Sequence, residues 1–128
     1  MIDLAPGLAY TVTETVSPSN VAATIGSGLL EVYATPAMVA LMERAAMLAV
    51  QPLLPHGVGT VGTTINVEHT RATPIGAQVQ AQAVLVAADA RRLEFEVLAS
   101  DAKGPIGRGT HVRYIIDNDR FMNKVLDR

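Results

Sequence analysis

Thr35-Pro36-Ala37-Met38-Val39-Ala40-Leu41-Met42-Glu43-Arg44-Ala45-Ala46-Met47-Leu48-Ala49-Val50-Gln51-Pro52 is the stretch on which the reading of this chain turns. Thr35 is a residue type that caps helices, and Pro36 brings a fixed φ that suits a first helical turn. Pro52 and Pro55 cannot continue a helix, so the element is expected to stop there. That gives about 16 residues, a rod of ~24 Å at 1.5 Å per residue. Its side chains are Met, Val, Leu and Ala almost throughout, and only Glu43 and Arg44 carry charge. A helix apolar on nearly every side is one that other elements surround.

Glu43 is the oddity within it. Its helical neighbours three and four residues away are Val39, Ala40, Ala46 and Met47, none of which can pair with a carboxylate. It therefore needs a partner from elsewhere, or a gap open to water, or a task, since carboxylates in apolar settings are costly and gather at functional sites. Arg44 is less telling, because its long stem can lie along apolar surface and deliver the charge to solvent.

Outside the helix, short alternating segments dominate. Leu8 to Val16 alternates and is rich in Thr and Val, so it reads as a strand. Ser17 to Leu30 has small, polar and Gly residues without a period, which reads as a loop or lid. After a Pro- and Gly-punctuated turn, Thr60 to Thr70 places Val61, Thr63, Ile65, Val67 and His69 on one face. Gly62 inside that strand points to a bulge or a close backbone approach. His69, on the apolar face, fits either a satisfied core histidine or a catalytic one. Ala77 to Ala87 turns Val79, Ala81, Ala83 and Leu85 inward; Arg91 to Asp101 does so with Leu93, Phe95, Val97 and Ala99. The link Ala88-Asp89-Ala90 makes these a hairpin. Pro105 to Asp117 is the last strand, with Gly107, Gly109, His111 and Arg113 sharing a face, and Asp119 to Arg128 suits a short closing helix. The expected order is strand, lid, long helix and a four-strand antiparallel meander, an α+β layout.

Composition narrows the field. A chain of 128 residues is expected to form a single domain over 1–128. Ten basic and twelve acidic side chains give a net charge of −2, which does not suggest a nucleic-acid partner. There is no cysteine, so disulfides, thiolate catalysis and Cys-type zinc sites are excluded. His56, His69 and His111 have no metal-ligand spacing, and no cofactor is implied. The N-terminus lacks a signal-peptide pattern, and Glu43-Arg44 interrupts the only long apolar run well short of a membrane span, so a cytoplasmic location is expected.

Three separated motifs carry a resemblance. Glu31–Glu43 (EVYATPAMVALME), Gly62–Gly76 (GTTINVEHTRATPIG) and Gly107–Ile116 (GRGTHVRYII) together resemble the hotdog-fold acyl-CoA thioesterases, most closely the fluoroacetyl-CoA thioesterase group. The resemblance implies a hotdog fold, a curved antiparallel sheet of about five strands wrapped around one central helix. It implies hydrolysis of an acyl-CoA thioester, with Thr35, Glu43 and His69 as catalytic residues and the backbone of Gly62 at the thioester carbonyl. Glu43 would act as general base on water or attack the carbonyl itself, and His69 would orient Glu43 or protonate the leaving thiolate. Thr35 is compatible with capping or catalysis. In that group two lid phenylalanines shape the acyl pocket; their positions here are Gly26 and Leu29, so a short or medium acyl group is expected rather than a selected fluorinated one. Among the basic residues Arg113 is the first choice for a substrate contact, with a structural role as the alternative. The group also implies a homodimer with sites near the interface.

Three other readings compete with this. A non-catalytic acyl-CoA binding or sensing domain could share the fold, although sensors of that kind carry an added DNA-binding segment that is not expected here. A hotdog hydratase would need a differently spaced Asp and His. A purely structural dimerisation module would leave Glu43 and His69 unexplained.

Overall fold

In the computed structural model, which describes residues 3–128, the central helix α2 runs Thr35–Val50, and a 3₁₀ turn at Gln51–Leu53, built on Pro52, ends it. Its N-cap is Ala34, which makes no side-chain cap bond; Thr35 is the first helical residue and Pro36 the second. Thr35 is therefore not the cap expected of it, and its hydroxyl is available for another partner. Met38, Leu41, Met42, Ala45, Ala46, Ala49 and Val50 are buried. The helix is less enclosed than its composition suggests. Thr35, Pro36, Ala40 and Arg44 are exposed, and Val39, Glu43 and Met47 are half-buried, so one stripe of the rod stays open.

Five strands form the sheet beneath it: β1 (Ala9–Thr15), β2 (Val58–His69), β3 (Gln78–Asp89), β4 (Arg92–Asp101) and β5 (Gly104–Asp117). Their spatial order is β1-β3-β4-β5-β2, with every pair antiparallel. The expected four-strand meander is thus a three-strand one, β3-β4-β5, because β2 crosses to the far edge and pairs with β5. Residues 70–77 between β2 and β3 are too many for a tight hairpin, whose loops run to about 2–5 residues. They are tied instead to the entrance of α2, Tyr33 N–H donating to Thr73 O at 2.9 Å, and to β4, the buried Thr73 hydroxyl donating to Asp101 at 2.8 Å.

The inward residues of β3 and β4 are those that alternation picks out: Val79, Ala81, Ala83, Leu85, Leu93, Phe95, Val97 and Ala99 are all buried. Each larger side chain among them contributes about 1.5–3 kcal/mol, and the alanines between them let the helix lie close to the sheet. The β3–β4 turn is one residue further on than expected. Asp89 pairs with Arg92, leaving Ala90 and Arg91 at the tip, with Ala90 at a positive φ of 54°.

In β2 the register shifts between Gly62 and Thr64, a β-bulge that Gly62 foreshadowed. The extra residue switches faces along the strand. Ile65, Val67 and His69 lie opposite His111, Gly109 and Gly107, and Gly62 lies opposite Arg113. Val61 therefore does not share a face with Ile65 and His69, as unbroken alternation would require.

The segment 17–30 contains one helical turn, α1 (Ala22–Ile25), closed by Gly26 at φ 94°. Leu29 beyond it is 94% exposed. The closing helix α3 spans Asn118–Leu126, with the Asp117 carboxylate accepting from Arg120 N–H at 3.0 Å.

Candidate active site

Helix α2 and strand β2 present two groups of polar side chains. At the N-terminus of α2, Thr35 Oγ1 lies 2.8 Å from Nδ1 of His69. The other ring nitrogen, Nε2, is buried without a hydrogen-bond partner. Tyr33 stands edge-on to the ring at 6.4 Å, and its hydroxyl donates to Glu14 at 2.5 Å. Burial and the nearby Glu14 carboxylate both raise the Tyr33 phenol, which stays protonated. Burial pushes the His69 imidazole below its ordinary range, offset in part by the backbone of Arg71, so the ring is neutral at neutral pH. A neutral ring that accepts the Thr35 hydroxyl at Nδ1 carries its proton on Nε2, as a free donor. A cavity of about 260 Å³ opens beside it, lined by Ser27, Tyr33, Thr35, His69 and Arg71 among others.

Two helical turns further along, Glu43 meets strand β5. Its Oε2 lies 3.6 Å from NH1 of Arg113, the partner that its own helix cannot supply. Arg113 is only 7% exposed. Its Nε donates to Thr60 Oγ1 at 2.8 Å and its NH2 to Thr60 O at 3.1 Å, while NH1 lies 3.2 Å from Nε2 of His111. Gly62 completes the group. A Cβ there would stand 2.8 Å from Glu43 Oε2, 3.1 Å from His111 Cε1 and 3.2 Å from Arg113 NH1. A carboxylate, a guanidinium and a backbone amide thus converge where the residue has no side chain.

Of the residues singled out in the sequence, Thr35 and His69 come together, and Glu43, Gly62 and Arg113 come together. Leu29 joins neither group. Glu43 and His69 share no hydrogen bond or ion pair among the described residues, and eight residues of helix put Thr35 and Glu43 about 12 Å apart along the axis. Glu43 is 42% exposed and faces a guanidinium, so its setting is not the apolar one that its helical neighbours suggest. His111 was not picked out as a site residue. The signal for it was present, in that the alternation of β5 puts His111 and Arg113 together on the face that should be core.

A five-stranded antiparallel sheet packed on one long helix, with a carboxylate on the helix facing a glycine of the edge strand, is the hotdog architecture. The model of the fluoroacetyl-CoA-specific thioesterase (FlK) family matches residues 16–119. The chain is 46% identical over 95 residues to the fluoroacetyl-CoA thioesterase of Streptantibioticus cattleyicolor, covering 74% of this chain and 68% of that one. It superposes on a solved structure of the fluoroacetyl-CoA thioesterase FlK with a TM-score of 0.92, at 36% identity and 98% coverage of both chains. A mutant of FlK in complex with fluoroacetate and CoA gives a TM-score of 0.87 at 37% identity, over 92% of this chain and 99% of that one. A thioesterase superfamily member from Thermus thermophilus, 23% identical, shares the fold with a TM-score of 0.90 over 99% of this chain and 94% of that one. This chain belongs to the fluoroacetyl-CoA-specific thioesterase family.

Proposed function

We propose that this chain hydrolyses a short or medium acyl-CoA thioester to the free acid and CoA, with Glu43, His69 and Thr35 as its reacting groups. The observation that carries this is the convergence at Gly62. The Glu43 carboxylate packs so closely on the Gly62 backbone that a Cβ there would stand 2.8 Å from Oε2, which puts the base and the backbone amide side by side for a thioester carbonyl that enters as the exposed carboxylate shifts. Glu43 takes a proton from water, and the oxygen attacks the carbonyl carbon. The Gly62 N–H receives the charge that develops on the carbonyl oxygen. As the tetrahedral intermediate collapses the C–S bond breaks, and the proton held by Glu43 goes to the departing sulfur. His69 supports this step: with its ring held by the Thr35 hydroxyl at Nδ1, its unpartnered Nε2 is the nitrogen left to donate to that sulfur.

This assignment needs the two groups to meet, and a homodimer supplies the means. Strand β2 is a sheet edge, with a row of backbone groups free to pair with another strand. A second copy pairing antiparallel along β2 about a two-fold axis at Asn66 would bring Gly62, across the bulge, toward the partner's His69. The open stripe of α2 faces the same seam. Gly26, in place of an aromatic, has nothing within 4 Å of where a Cβ would stand. Leu29 points to solvent within one chain and would reach the acyl group only from the lid of an assembled site. Both features favour a wider acyl range than fluoroacetyl alone. The chain works as one domain over 1–128, in the cytoplasm, where its substrates are CoA esters.

The test is thiol release from acetyl- through decanoyl-CoA, with fluoroacetyl-CoA included, for the wild type and Glu43→Ala. Turnover by the wild type, lost by at least about 10²-fold in a folded variant, is the expected result for removal of a general base. Tight acyl-CoA binding without turnover of any ester would replace this reading with that of a non-catalytic binder.

A further inference from the structure

His111 is a buried titratable group that the chemistry above leaves unused. Only 1% of it is exposed, and its ring lies tilted against Phe95 of β4, centroids 6.1 Å apart. Its two nitrogens have different partners. Nδ1 lies 2.8 Å from the carbonyl oxygen of Thr64, at the bulge of β2, and Nε2 lies 3.2 Å from NH1 of Arg113. A carbonyl can only accept, so Nδ1 carries the proton; a guanidinium can only donate, so Nε2 is the acceptor. The neutral ring in one tautomer satisfies both, and no other protonation state does.

From this geometry, and resting on the functional reading above, we infer that His111 is a positioning residue for hydrolysis, anchoring the Arg113 guanidinium so that it faces the Glu43 carboxylate in one fixed orientation. Thr60 holds one edge of that guanidinium through Nε and NH2. Among the described residues, His111 supplies the hydrogen bond to the other edge. With one NH1 hydrogen given to His111, the second is left toward Glu43 Oε2 at 3.6 Å, too far for a hydrogen bond and close enough to draw the carboxylate over Gly62. The bulge contributes as well, since it brings the Thr64 carbonyl to Nδ1 and so fixes the tautomer.

The charged groups that face His111 are Arg113 from β5 and Glu43 from α2; β4 offers Phe95 and β2 a carbonyl. Burial and the Arg113 charge hold the imidazole below its ordinary range, against the opposing pull of the Thr64 backbone and Glu43. Protonation would put an N–H on Nε2 directly opposite another N–H of Arg113, and the anchor would be lost.

Two amide substitutions separate the bonds. The amide of His111→Asn can reach the Thr64 carbonyl but falls short of Arg113; that of His111→Gln extends an oxygen to where Nε2 stood. The kinetics of acyl-CoA hydrolysis are measured across pH for both variants and wild type, with thermal melts to confirm the fold. Because misplacing a reacting group by about 1 Å can cost ~10²-fold, His111→Asn is expected to lose on the order of 10–10² in kcat, with KM little changed. His111→Gln is expected to recover most of that loss and to show a shallower fall in kcat toward acid pH than wild type. In wild type, ¹⁵N NMR of the imidazole should show the Nδ1–H tautomer. Equal damage by Asn and Gln in folded proteins, full activity of His111→Asn, or an Nε2–H tautomer would each overturn the assignment. Wild type that turns over no ester would instead sink the functional reading, and the tautomer measurement would still decide whether the anchor exists.

Discussion

Gly62→Ala is the most revealing single substitution in this chain. Gly62 does not have a positive φ, so alanine fits the backbone, and the effect comes from the added methyl alone. That methyl would stand 2.8 Å from Glu43 Oε2, 3.1 Å from His111 Cε1 and 3.2 Å from Arg113 NH1. Comfortable contacts between heavy atoms lie near 3.5–4.0 Å, so about 0.5–1 Å must be found. Arg113 and His111 are buried and bonded on several sides, whereas the Glu43 side chain is 42% exposed and, among the described residues, has the ion pair with Arg113 as its one polar contact. The carboxylate therefore moves. Overpacking costs about 1–3 kcal/mol, and replacing glycine returns about 0.4–1 kcal/mol through the unfolded chain. The net change in stability is then between about 0 and 2.6 kcal/mol, which the melt measures separately from the kinetics. The activity of the folded fraction falls as well, because a carboxylate displaced by about 1 Å costs on the order of 10²-fold in kcat. The measurements are thiol release under saturating acyl-CoA and a thermal melt of the same preparation. Activity within about threefold of wild type, a difference of only ~0.6 kcal/mol in barrier, would show that nothing reacts over Gly62, and the placement of Glu43 as base would fall with it.

Thr35→Ala should lower kcat by about 10-fold or more through loss of the His69 anchor, while Thr35→Ser should retain most activity. Since Thr35 makes no cap bond, the melting temperature of Thr35→Ala should stay close to wild type; a loss of ~1 kcal/mol would mark a capping role after all. Stability should also depend on pH through His69 and His111, whose folded values are both depressed. Between those values and the unfolded value of about 6.5, the unfolded chain binds more protons, so stability rises with pH in that window and is lost as pH falls through it. Urea midpoints measured from pH 7 downward check this, and the decline should be smaller in His111→Gln.

Much of the fold follows from period alone. The inward residues of β3 and β4 could be named because uninterrupted alternation fixes a face, and the extent of α2 because prolines stand at both ends. The partner of β2 could not, since pairing between strands far apart in sequence leaves no local trace; only the length of 70–77 argues against a hairpin. A bulge reverses the alternation by which faces are read, which is why Val61 was placed with His69. At the site, Glu43 stood out by having no helical partner, but that Arg113 provides one depends on β5 lying beside β2. Thr35 resembled a cap because capping and hydrogen bonding to a histidine use the same hydroxyl. His111 and Arg113 were each visible, and their connection was not, because it runs through a tautomer fixed by a carbonyl on another strand.

Helix α2 also acts as a ruler. Eight residues separate Thr35 from Glu43, and at about 100° per residue that is two full turns plus ~80°. Inserting one residue between them would swing Glu43 a further ~100° about the axis, away from Gly62, and lengthen the rod by only ~1.5 Å. Inserting seven would bring it back to within about 20° of its bearing, yet ~10 Å too far along. Length changes are therefore forbidden between residues 35 and 43 by angle or by reach, whereas the loop at 17–30 is under no such rule. Variation in acyl preference within this architecture should accordingly be sought in insertions and deletions of the loop, never of the helix.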